Sequence, residues 1–199
     1  MEELHDEPDG ATQLEPDERD GLRLKHITTR SELNEVEQAN ISIAIEWLDR
    51  SRNHDILSEQ WLRNLHTKMF GEVWSWSGRF RTSEKNISVS PYEIGPKLRE
   101  LLDDTKYWIQ NNTYTPLEIA ARFHHRLVQI HLFPNGNGRH ARIAADELLS
   151  RVLNHSPINW DGDGDLNKEN ERRNSYISAL RNADSSDYEA LLKFVAPKD

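Results

Sequence analysis

The sequence of 199 residues contains no cysteine, which excludes disulfide bonds and thiolate chemistry. No apolar run approaches the roughly 20 residues that a membrane-spanning helix needs. Residues 1–6 also lack the basic and then apolar pattern with which a secretory signal peptide begins. We therefore expect a protein of the reducing cytoplasm that has no membrane segment.

A surplus of positive charge is missing as well. The 25 lysines and arginines are outnumbered by 34 acidic residues, and the formal net charge is −9. Residues 1–20 hold nine of the acidic residues and a single arginine, so the rest of the chain is nearly neutral. Because this distribution lacks a basic patch, we predict no nucleic-acid partner. Residues 1–21 have the composition of a disordered acidic tail.

Several common nucleotide and metal motifs are also absent. The sequence has neither a P-loop, Gly-x-x-x-x-Gly-Lys-Ser/Thr, nor a zinc-binding His-Glu-x-x-His pattern. Residues 161–165 begin like a calcium loop, but Leu166 replaces its glycine and Arg172 replaces its bidentate glutamate. We therefore predict a turn there, and we expect His124 to be a packed or hydrogen-bonded side chain.

Helical signals dominate the rest of the sequence. Thr29 and Thr115 each begin a capping-box pattern, which predicts the start of a helix. Apolar residues recur at helical spacing after both positions. The first of these helices is predicted to face the core with Val36, Ala39, Ile43 and Trp47. Further helices are predicted over residues 58–70, 96–110, 115–131, 139–153, 167–182 and 187–194.

One segment departs from the helical pattern. Ile87 and Val89 alternate with small polar residues, which is the period of a strand, and they predict a hairpin over residues 80–90. The predicted fold is therefore mainly α, with one short β-hairpin. It divides into the acidic tail at residues 1–21, an N-terminal helical segment at residues 22–54 and a main domain at residues 55–197.

The stretch from residue 131 to residue 142 concentrates the side chains that phosphate chemistry requires. Gly136 and Gly138 allow the backbone to approach an anion closely, at the positive N-terminal end of the helix that follows. Arg139 and Arg142 share one face of that helix and can hold phosphate oxygens. His131 precedes the turn and can accept a proton near neutral pH.

This pattern resembles the signature of the Fic family, H-x-F-x-[D/E]-G-N-[G/K]-R-x-x-R. Seven fixed positions match at the right spacing, and Asn135 is the one departure. The resemblance covers about residues 55–195 and implies a Fic-type helical bundle with a β-hairpin flap. Residues 27–41 resemble a bacterial subgroup known as mobile mystery protein B, a name that carries no biochemistry.

The resemblance implies a protein adenylyltransferase, which transfers AMP from ATP to a hydroxyl side chain of a target protein. His131 would be the general base. Gly136, Asn137, Gly138 and Arg139 would hold the α- and β-phosphates, Arg142 would reach the γ-phosphate, and Phe133 would anchor the loop. The flap would bind the target as an added strand, and its docking residues would be Thr82, Ile87 and Val89.

Asn135 stands where the family usually has the carboxylate that holds Mg²⁺ between the phosphates. The resemblance therefore implies Asn135 as a metal ligand, with a neutral carbonyl oxygen that binds Mg²⁺ more weakly. We expect a working enzyme whose rate is sensitive to the Mg²⁺ concentration.

Many Fic proteins also carry a helix with the pattern [S/T]-x-x-x-E-[G/N], whose glutamate pairs with the second arginine of the signature and blocks productive ATP binding. Ser31 and Glu35 fit its first five positions, although Val36 replaces the small final residue. Glu37 is a less well-spaced alternative. The resemblance implies an inhibitory role for Glu35. In the other interpretation, the negative charge of Glu35 only stabilises the N-terminal half of its helix.

Two further functions stay open. Asn135 leaves room for a catalytically silent Fic-fold module that binds a partner through its flap. The chain could also transfer another phosphate-containing group, as Doc kinases do, although Gly138 stands where those proteins carry lysine. The implied partners are ATP and a protein target, which suits a toxin or a regulator, and the oligomeric state stays open, a homodimer included.

Overall fold

The computed structural model describes residues 14–51, 55–85, 88–162, 166 and 170–197. The predicted mainly helical fold is confirmed. No helix in these ranges combines the length and the apolar character that crossing a bilayer requires. The α-helices are α1 (Pro16–Arg19), α2 (Arg30–Arg50), α3 (Glu59–Phe70), α4 (Ile94–Gln110), α5 (Pro116–Ile130), α6 (Asn137–Glu147), α7 (Glu171–Asp184) and α8 (Glu189–Val195). A 3₁₀ turn, Pro91–Glu93, precedes α4, and a π-helical turn, Leu148–Val152, extends α6.

Both helix starts that the capping patterns predict are confirmed. The Thr29 hydroxyl accepts the N–H of Glu32 at 3.3 Å, and the Glu32 carboxylate accepts the N–H of Thr29 at 3.0 Å. The Thr115 hydroxyl accepts the N–H of Glu118 at 3.3 Å at the start of α5. These bonds stabilise the first turn because its N–H groups have no partner inside the helix.

Helix α5 is the centre of the fold and delivers His131 to the interior. It packs against α4, α6, α7 and α8. Phe123, Leu127 and Ile130 are among its buried residues. Because the helix also ends inside the core, His131, which follows its last turn, is only 5% exposed.

The buried face of α2 differs from the predicted one. Leu33, Ile41 and Leu48 are buried there, whereas Ile43 is 59% exposed. The buried face also includes Glu37 and Asn40. Asn40 donates to the Lys68 carbonyl at 3.0 Å and accepts the N–H of Glu72 at 3.1 Å. Of the predicted residues, Val36 and Trp47 are half-buried against the core, whereas Ala39 and Ile43 are exposed. Two polar side chains with distant partners occupy the buried face, so apolar periodicity alone identified it only in part.

Residues 14–21 form structure, contrary to the predicted acidic tail. They include α1, and Leu14 and Glu18 are buried. The Glu18 carboxylate accepts the Ser83 hydroxyl at 2.5 Å and pairs with the Lys85 ammonium at 2.6 Å. A buried carboxylate needs such partners, and composition cannot show that they lie more than 60 positions away. Residues 1–13 of the predicted tail lie outside the described residues.

The predicted hairpin does not form a strand ladder in residues 80–85 and 88–90, the part of it that the structure describes. These residues form a loop, and we call residues 81–85 and 88–90 the flap. The carbonyl oxygens of Ser83 and Val89 accept hydrogen bonds from the Arg81 guanidinium. One side chain thus serves backbone groups that a ladder would otherwise pair. Ile87 and residues 163–165 of the predicted turn lie outside the described residues.

Candidate active site

His131 lies where α5 ends and adopts the left-handed conformation, with a φ of 57° and a ψ of 68°. Its N–H donates to the Leu127 carbonyl at 3.1 Å, which completes the last turn of α5. Residues other than glycine rarely adopt this conformation, so surrounding contacts must hold His131 in it. The chain turns sharply here and enters the loop of residues 132–136, which leads to α6.

The imidazole of His131 is neutral near pH 7. Burial, followed by the positive charges of Arg81 and Lys85, lowers its pKa to about 3. A neutral imidazole has a lone pair that can accept a proton from a hydroxyl group. The protonation state is therefore the one that a general base needs.

Asn137 closes the loop between His131 and α6. Its side-chain carbonyl accepts the N–H of Phe133 at 2.9 Å, and its side-chain amide donates to the carbonyl of Phe133 at 2.7 Å. Both polar groups of this buried side chain are therefore used within the loop. The side chain of Asn137 consequently shapes the loop, and only its backbone N–H, in the first turn of α6, points to an anion role.

His66 supports the same loop from α3, and sequence reasoning missed it. Its Nδ1 accepts the N–H of Gly78 at 3.0 Å, so its Nε2 carries the proton and donates to the backbone carbonyl of Asn135 at 3.1 Å. Burial, together with His140, holds the pKa of His66 well below its usual range, which keeps it neutral. Phe133 stacks on the His66 ring at a centroid distance of 3.8 Å, which supports its predicted anchoring role.

The two signature glycines, Gly136 before α6 and Gly138 in its first turn, meet different surroundings. Gly136 has a φ of 78°, and a Cβ atom there would lie 2.6 Å from the ring of Phe70. Gly138 is open by comparison, since a Cβ atom there would meet only the Arg142 Nη1 atom, at 3.8 Å. The first turn of α6 therefore has a free approach at Gly138, where a phosphate could reach backbone N–H groups that lack helical partners.

The two signature arginines have different neighbours. The Arg139 guanidinium pairs with the Glu37 carboxylate at 2.7 Å and lies over the ring of Phe70 at 4.9 Å. The other carboxylate oxygen of Glu37 accepts the indole N–H of Trp74 at 2.6 Å. Arg139 is thus already neutralised by a carboxylate from α2.

Arg142 lies over the ring of Tyr176 on α7, at 5.8 Å from its centroid. Burial raises the pKa of Tyr176, so its hydroxyl keeps its proton, and it lies 3.0 Å from the Nε2 atom of His124. The hydrogen-bonded role predicted for His124 is confirmed. Arg142 therefore has an aromatic support, in contrast to the ion pair of Arg139.

The structure places Ser31 and Glu35 away from these arginines. Both are exposed on α2, and Glu37, two residues after Glu35, is the buried glutamate that contacts the signature. Successive helical residues turn by about 100°, so positions two apart face nearly opposite directions. The better match to the inhibitory pattern thus faces solvent. The alternative, Glu37, contacts the signature, but at its first arginine, Arg139, and not at the second, which the pattern implies.

Asn135 is a poor metal ligand in this arrangement. Its side-chain carbonyl oxygen accepts the N–H of Gly136 at 2.6 Å. Within the described part of the chain, no three His, Cys, Asp or Glu side chains converge as metal ligands would. One neutral oxygen that already accepts a hydrogen bond does not make a protein-held Mg²⁺ site.

The flap contacts the backbone around His131 through Arg81. Thr82 is exposed and Val89 is half-buried against the core, while the third predicted docking residue, Ile87, lies outside the described residues. Arg81, at the beginning of the flap, is 2% exposed. Its guanidinium donates to the His131 carbonyl at 2.6 Å, so the flap and the predicted base share a side chain.

Comparison with known proteins gives matches over the part of the chain that contains this site. Residues 56–149 match the sequence model of the Fic/DOC family. Protein adenylyltransferase fic-1 of Caenorhabditis elegans is 29% identical over 154 residues, which cover 73% of this chain and 28% of that protein. Protein adenylyltransferase Fic of Drosophila grimshawi is 30% identical over 139 residues, which cover 66% of this chain and 26% of that protein. The chain spans about a quarter of the length of these relatives.

Solved structures have the same fold. The Fic-1 structure from Caenorhabditis elegans is 26% identical, with a TM-score of 0.64, and covers 78% of this chain and 46% of that one. BepC of Bartonella tribocorum, solved with bound AMPPNP, has a TM-score of 0.69 and covers 93% of this chain and 100% of that one. BepC is 15% identical, so this second likeness is one of fold alone.

Proposed function

Because the chain belongs to the Fic/DOC family, we propose that it is a protein adenylyltransferase, which transfers AMP from ATP to a hydroxyl group of a protein. The observation that carries the proposal is the junction between α5 and α6. A neutral, buried imidazole lies on one side of the loop of residues 132–136, and the start of a helix with two arginines lies on the other. Relatives that are named protein adenylyltransferases support the same activity.

In the proposed reaction His131 takes the proton of the attacking hydroxyl group. The hydroxyl oxygen forms a bond to the α-phosphorus of ATP, the bond from that phosphorus to the bridging oxygen breaks, and pyrophosphate leaves. A base with a pKa of about 3 in the free protein is weak. The negative charge of bound ATP raises the pKa of a nearby imidazole, so we expect His131 to become a stronger base in the complex.

The phosphates bind at the N-terminus of α6 in this proposal. The backbone N–H groups at Asn137 and Gly138 and the guanidinium groups of Arg139 and Arg142 stabilise charge that moves toward pyrophosphate. Positioning and charge stabilisation then supply most of the rate enhancement, as is usual for transfer at phosphorus.

Glu37 competes with ATP for Arg139 in the same proposal. Its carboxylate lies 2.7 Å from the guanidinium that the phosphates need, and both side chains are largely buried. ATP must therefore displace a carboxylate before Arg139 can bind it. In this proposal Glu37, and not Glu35, is the inhibitory glutamate.

Magnesium enters with ATP, as part of the substrate. The chain offers it the Asn135 carbonyl oxygen and no carboxylate in the loop, so the phosphates and water supply the other ligands. The target in this proposal is a protein of the cytoplasm with a Ser, Thr or Tyr hydroxyl that reaches His131 along the flap.

Intact-mass spectrometry of the full chain, incubated with ATP and Mg²⁺, tests the function. We expect a gain of one AMP on the wild-type protein and on His155→Ala, a variant of an exposed histidine, and no gain on His131→Ala. Transfer by His131→Ala at the wild-type rate would contradict the role of the base. ATP binding without transfer in any variant would favour the silent binding module that Asn135 leaves open.

A further inference from the structure

Arg81 is a buried cation that no part of the proposed reaction uses. Its guanidinium donates to the carbonyl oxygens of His131 at 2.6 Å, Ser83 at 2.8 Å and Ile130 at 3.3 Å, and also to that of Val89. A buried charge is tolerated when every donor is used, and the planar fork of arginine suits several acceptors at once. All four partners are backbone carbonyl groups, so the side chain holds main chain in place.

On one side, Arg81 holds the end of α5. The last carbonyl groups of a helix lack partners inside it and carry partial negative charge, which favours a cation there. The guanidinium takes the carbonyl groups of Ile130 and His131, and the backbone N–H of Arg81 donates to the carbonyl of Leu132 at 2.9 Å. One residue therefore binds three consecutive carbonyl groups around the left-handed His131.

On the other side, Arg81 holds the flap. Ser83 and Val89 both lie in the segment where the sequence predicted a hairpin, and the carbonyl oxygens of both accept from the guanidinium. A movement of the flap must therefore disturb the group that fixes the backbone of His131. The flap and the predicted base are connected through one side chain.

We propose that Arg81 is a positioning residue for the transfer reaction, which holds the His131 backbone in its left-handed conformation and ties that conformation to the flap residues Ser83 and Val89. This inference rests on the proposed function, since it assigns a role to the base of that reaction. Arg81 does not touch substrate, so its removal should impair the chemical step more than ATP binding, which takes place at α6.

Two substitutions separate charge from geometry. Arg81→Lys keeps a positive charge but offers donors from a single nitrogen atom, which cannot reach four carbonyl groups. Arg81→Gln removes the charge as well. Arg79 is the matched control because it is exposed and its guanidinium donates to the Ser75 carbonyl at 2.9 Å. Arg79→Lys and Arg79→Gln should behave like the wild-type protein.

The first measurement is self-transfer of AMP, with the maximal rate separated from the ATP concentration at half-maximal rate. We expect both Arg81 variants to lose about 100-fold or more in maximal rate, since a misplacement of about 1 Å costs that much. The half-saturating ATP concentration should change by less than about threefold. A maximal rate in Arg81→Lys within threefold of wild type would overturn the proposal, as would equal losses in both quantities.

The second measurement does not depend on transfer. Nitrogen-15 NMR of the full chain follows the imidazole of His131, which is assigned by its absence in His131→Ala. We expect wild-type His131 to stay neutral down to pH 5 or below, and Arg81→Gln to titrate at higher pH because a positive neighbour is gone. Lys85, the other positive neighbour of His131, is unchanged in sequence in all variants and has its own ion pair with Glu18.

These two measurements keep the proposals apart. Wild-type protein that binds ATP but transfers no AMP would contradict the proposed function, and the NMR comparison would still test Arg81. Unchanged imidazole shifts and an unchanged titration in Arg81→Gln would show that Arg81 does not set the environment of His131. If Arg81→Gln fails to fold, Arg81→Lys is compared with the wild-type protein instead. We expect the imidazole signals of His131 to shift between the two.

Discussion

The junction between α5 and α6 and the flap that contacts it are held in different ways. At the junction, the bonds that close the loop of residues 132–136 on itself are local, since Asn137 binds Phe133 four positions earlier, and His66 adds one distant support at Asn135. At the flap, the bonds join residues far apart, as Glu18 does with Ser83 across 65 positions and Arg81 with His131 across 50. Local bonds of the first kind can be recognised in a short sequence motif, whereas long-range bonds of the second kind cannot.

This difference has a consequence for stability. A junction built from local bonds inside the core should fail only when the core itself fails. A loop attached by a few long-range bonds can open while the helices stay folded, because local regions have their own opening free energies. The following predictions test that contrast, from the largest expected effect to the smallest.

Acid should destabilise the junction before the flap, and this is the largest effect that we expect. Burial lowers the pKa of His131 to about 3 and that of His140 to about 4. A histidine whose folded pKa is below its unfolded value of about 6.5 stabilises the fold above pH 6.5. It loses about 1.4 kcal/mol per pH unit as the pH falls toward the folded pKa. Asp146, whose pKa burial raises to about 6, offsets part of this because its protonation on acidification favours the fold.

Urea unfolding at pH 7 and pH 5 should therefore show a loss of about 3 kcal/mol or more. The described flap residues 81–85 contain no histidine, so their exchange protection, corrected for pH, should fall later. His140→Gln keeps an N–H donor for the Leu62 carbonyl and should reduce the pH slope, whereas the exposed His155→Gln should not. If stability depends on pH as steeply in His140→Gln as in the wild-type protein, burial of His140 does not contribute to the loss of stability in acid.

Asn137→Ala should cost the next largest amount. It leaves a buried N–H and a buried carbonyl of Phe133 without their partners, which costs about 2 kcal/mol of unfolding free energy. Chemical denaturation measures this, and ATP binding should weaken because the loop loses its shape. Asn64→Ala removes an exposed amide and is the control. A loss below about 0.5 kcal/mol would mean that the loop does not depend on this side chain.

Glu18→Gln should open the flap and leave the core intact. The substitution removes the charge that the buried Lys85 ammonium pairs with at 2.6 Å. Hydrogen exchange of residues 81–85 should become about tenfold faster, which corresponds to about 1.4 kcal/mol of local opening free energy. The midpoint of global unfolding should move little. Asp17→Asn, at an exposed position of α1, serves as the control. If Glu18→Gln lowers the free energy of global unfolding without faster exchange in residues 81–85, the flap does not open separately from the core.

Glu37→Gln should raise the affinity for ATP several-fold. Glutamine can still accept the indole N–H of Trp74, but it no longer neutralises Arg139, so ATP does not have to displace a carboxylate. Isothermal titration calorimetry with ATP measures the change. Glu35→Gln, on the exposed face of the same helix, should leave the affinity unchanged. The opposite pattern would return the inhibitory role to Glu35.

Asn135→Asp should produce the smallest effect. A carboxylate binds Mg²⁺ better than an amide oxygen, so the Mg²⁺ concentration at half-maximal AMP transfer should fall about two- to threefold. Asn64→Asp, which adds the same charge at an exposed position, should not change it. If rate and Mg²⁺ dependence both stay the same in Asn135→Asp, then Asn135 is not near the metal.

The sequence-based predictions succeeded where contacts are local and failed where they join distant residues. The capping residues Thr29 and Thr115 act within one helical turn, so their helices were predicted with confirmed starts. The buried face of α2 was predicted only in part, because Glu37 and Asn40 face inward to partners on other parts of the chain. His66 could not be found, since its partners Gly78 and Asn135 are 12 and 69 positions away.

By itself, the sequence predicted the main helices and the junction with its glycines and arginines, because glycines, arginines and caps act through contacts a few residues long. Only the tertiary structure decided that Glu37 rather than Glu35 meets the signature, that Glu18 belongs to the fold and that Arg81 links the flap to His131. Those contacts depend on how helices and loops pack, and side chains buried in that packing acquire partners that no local pattern encodes.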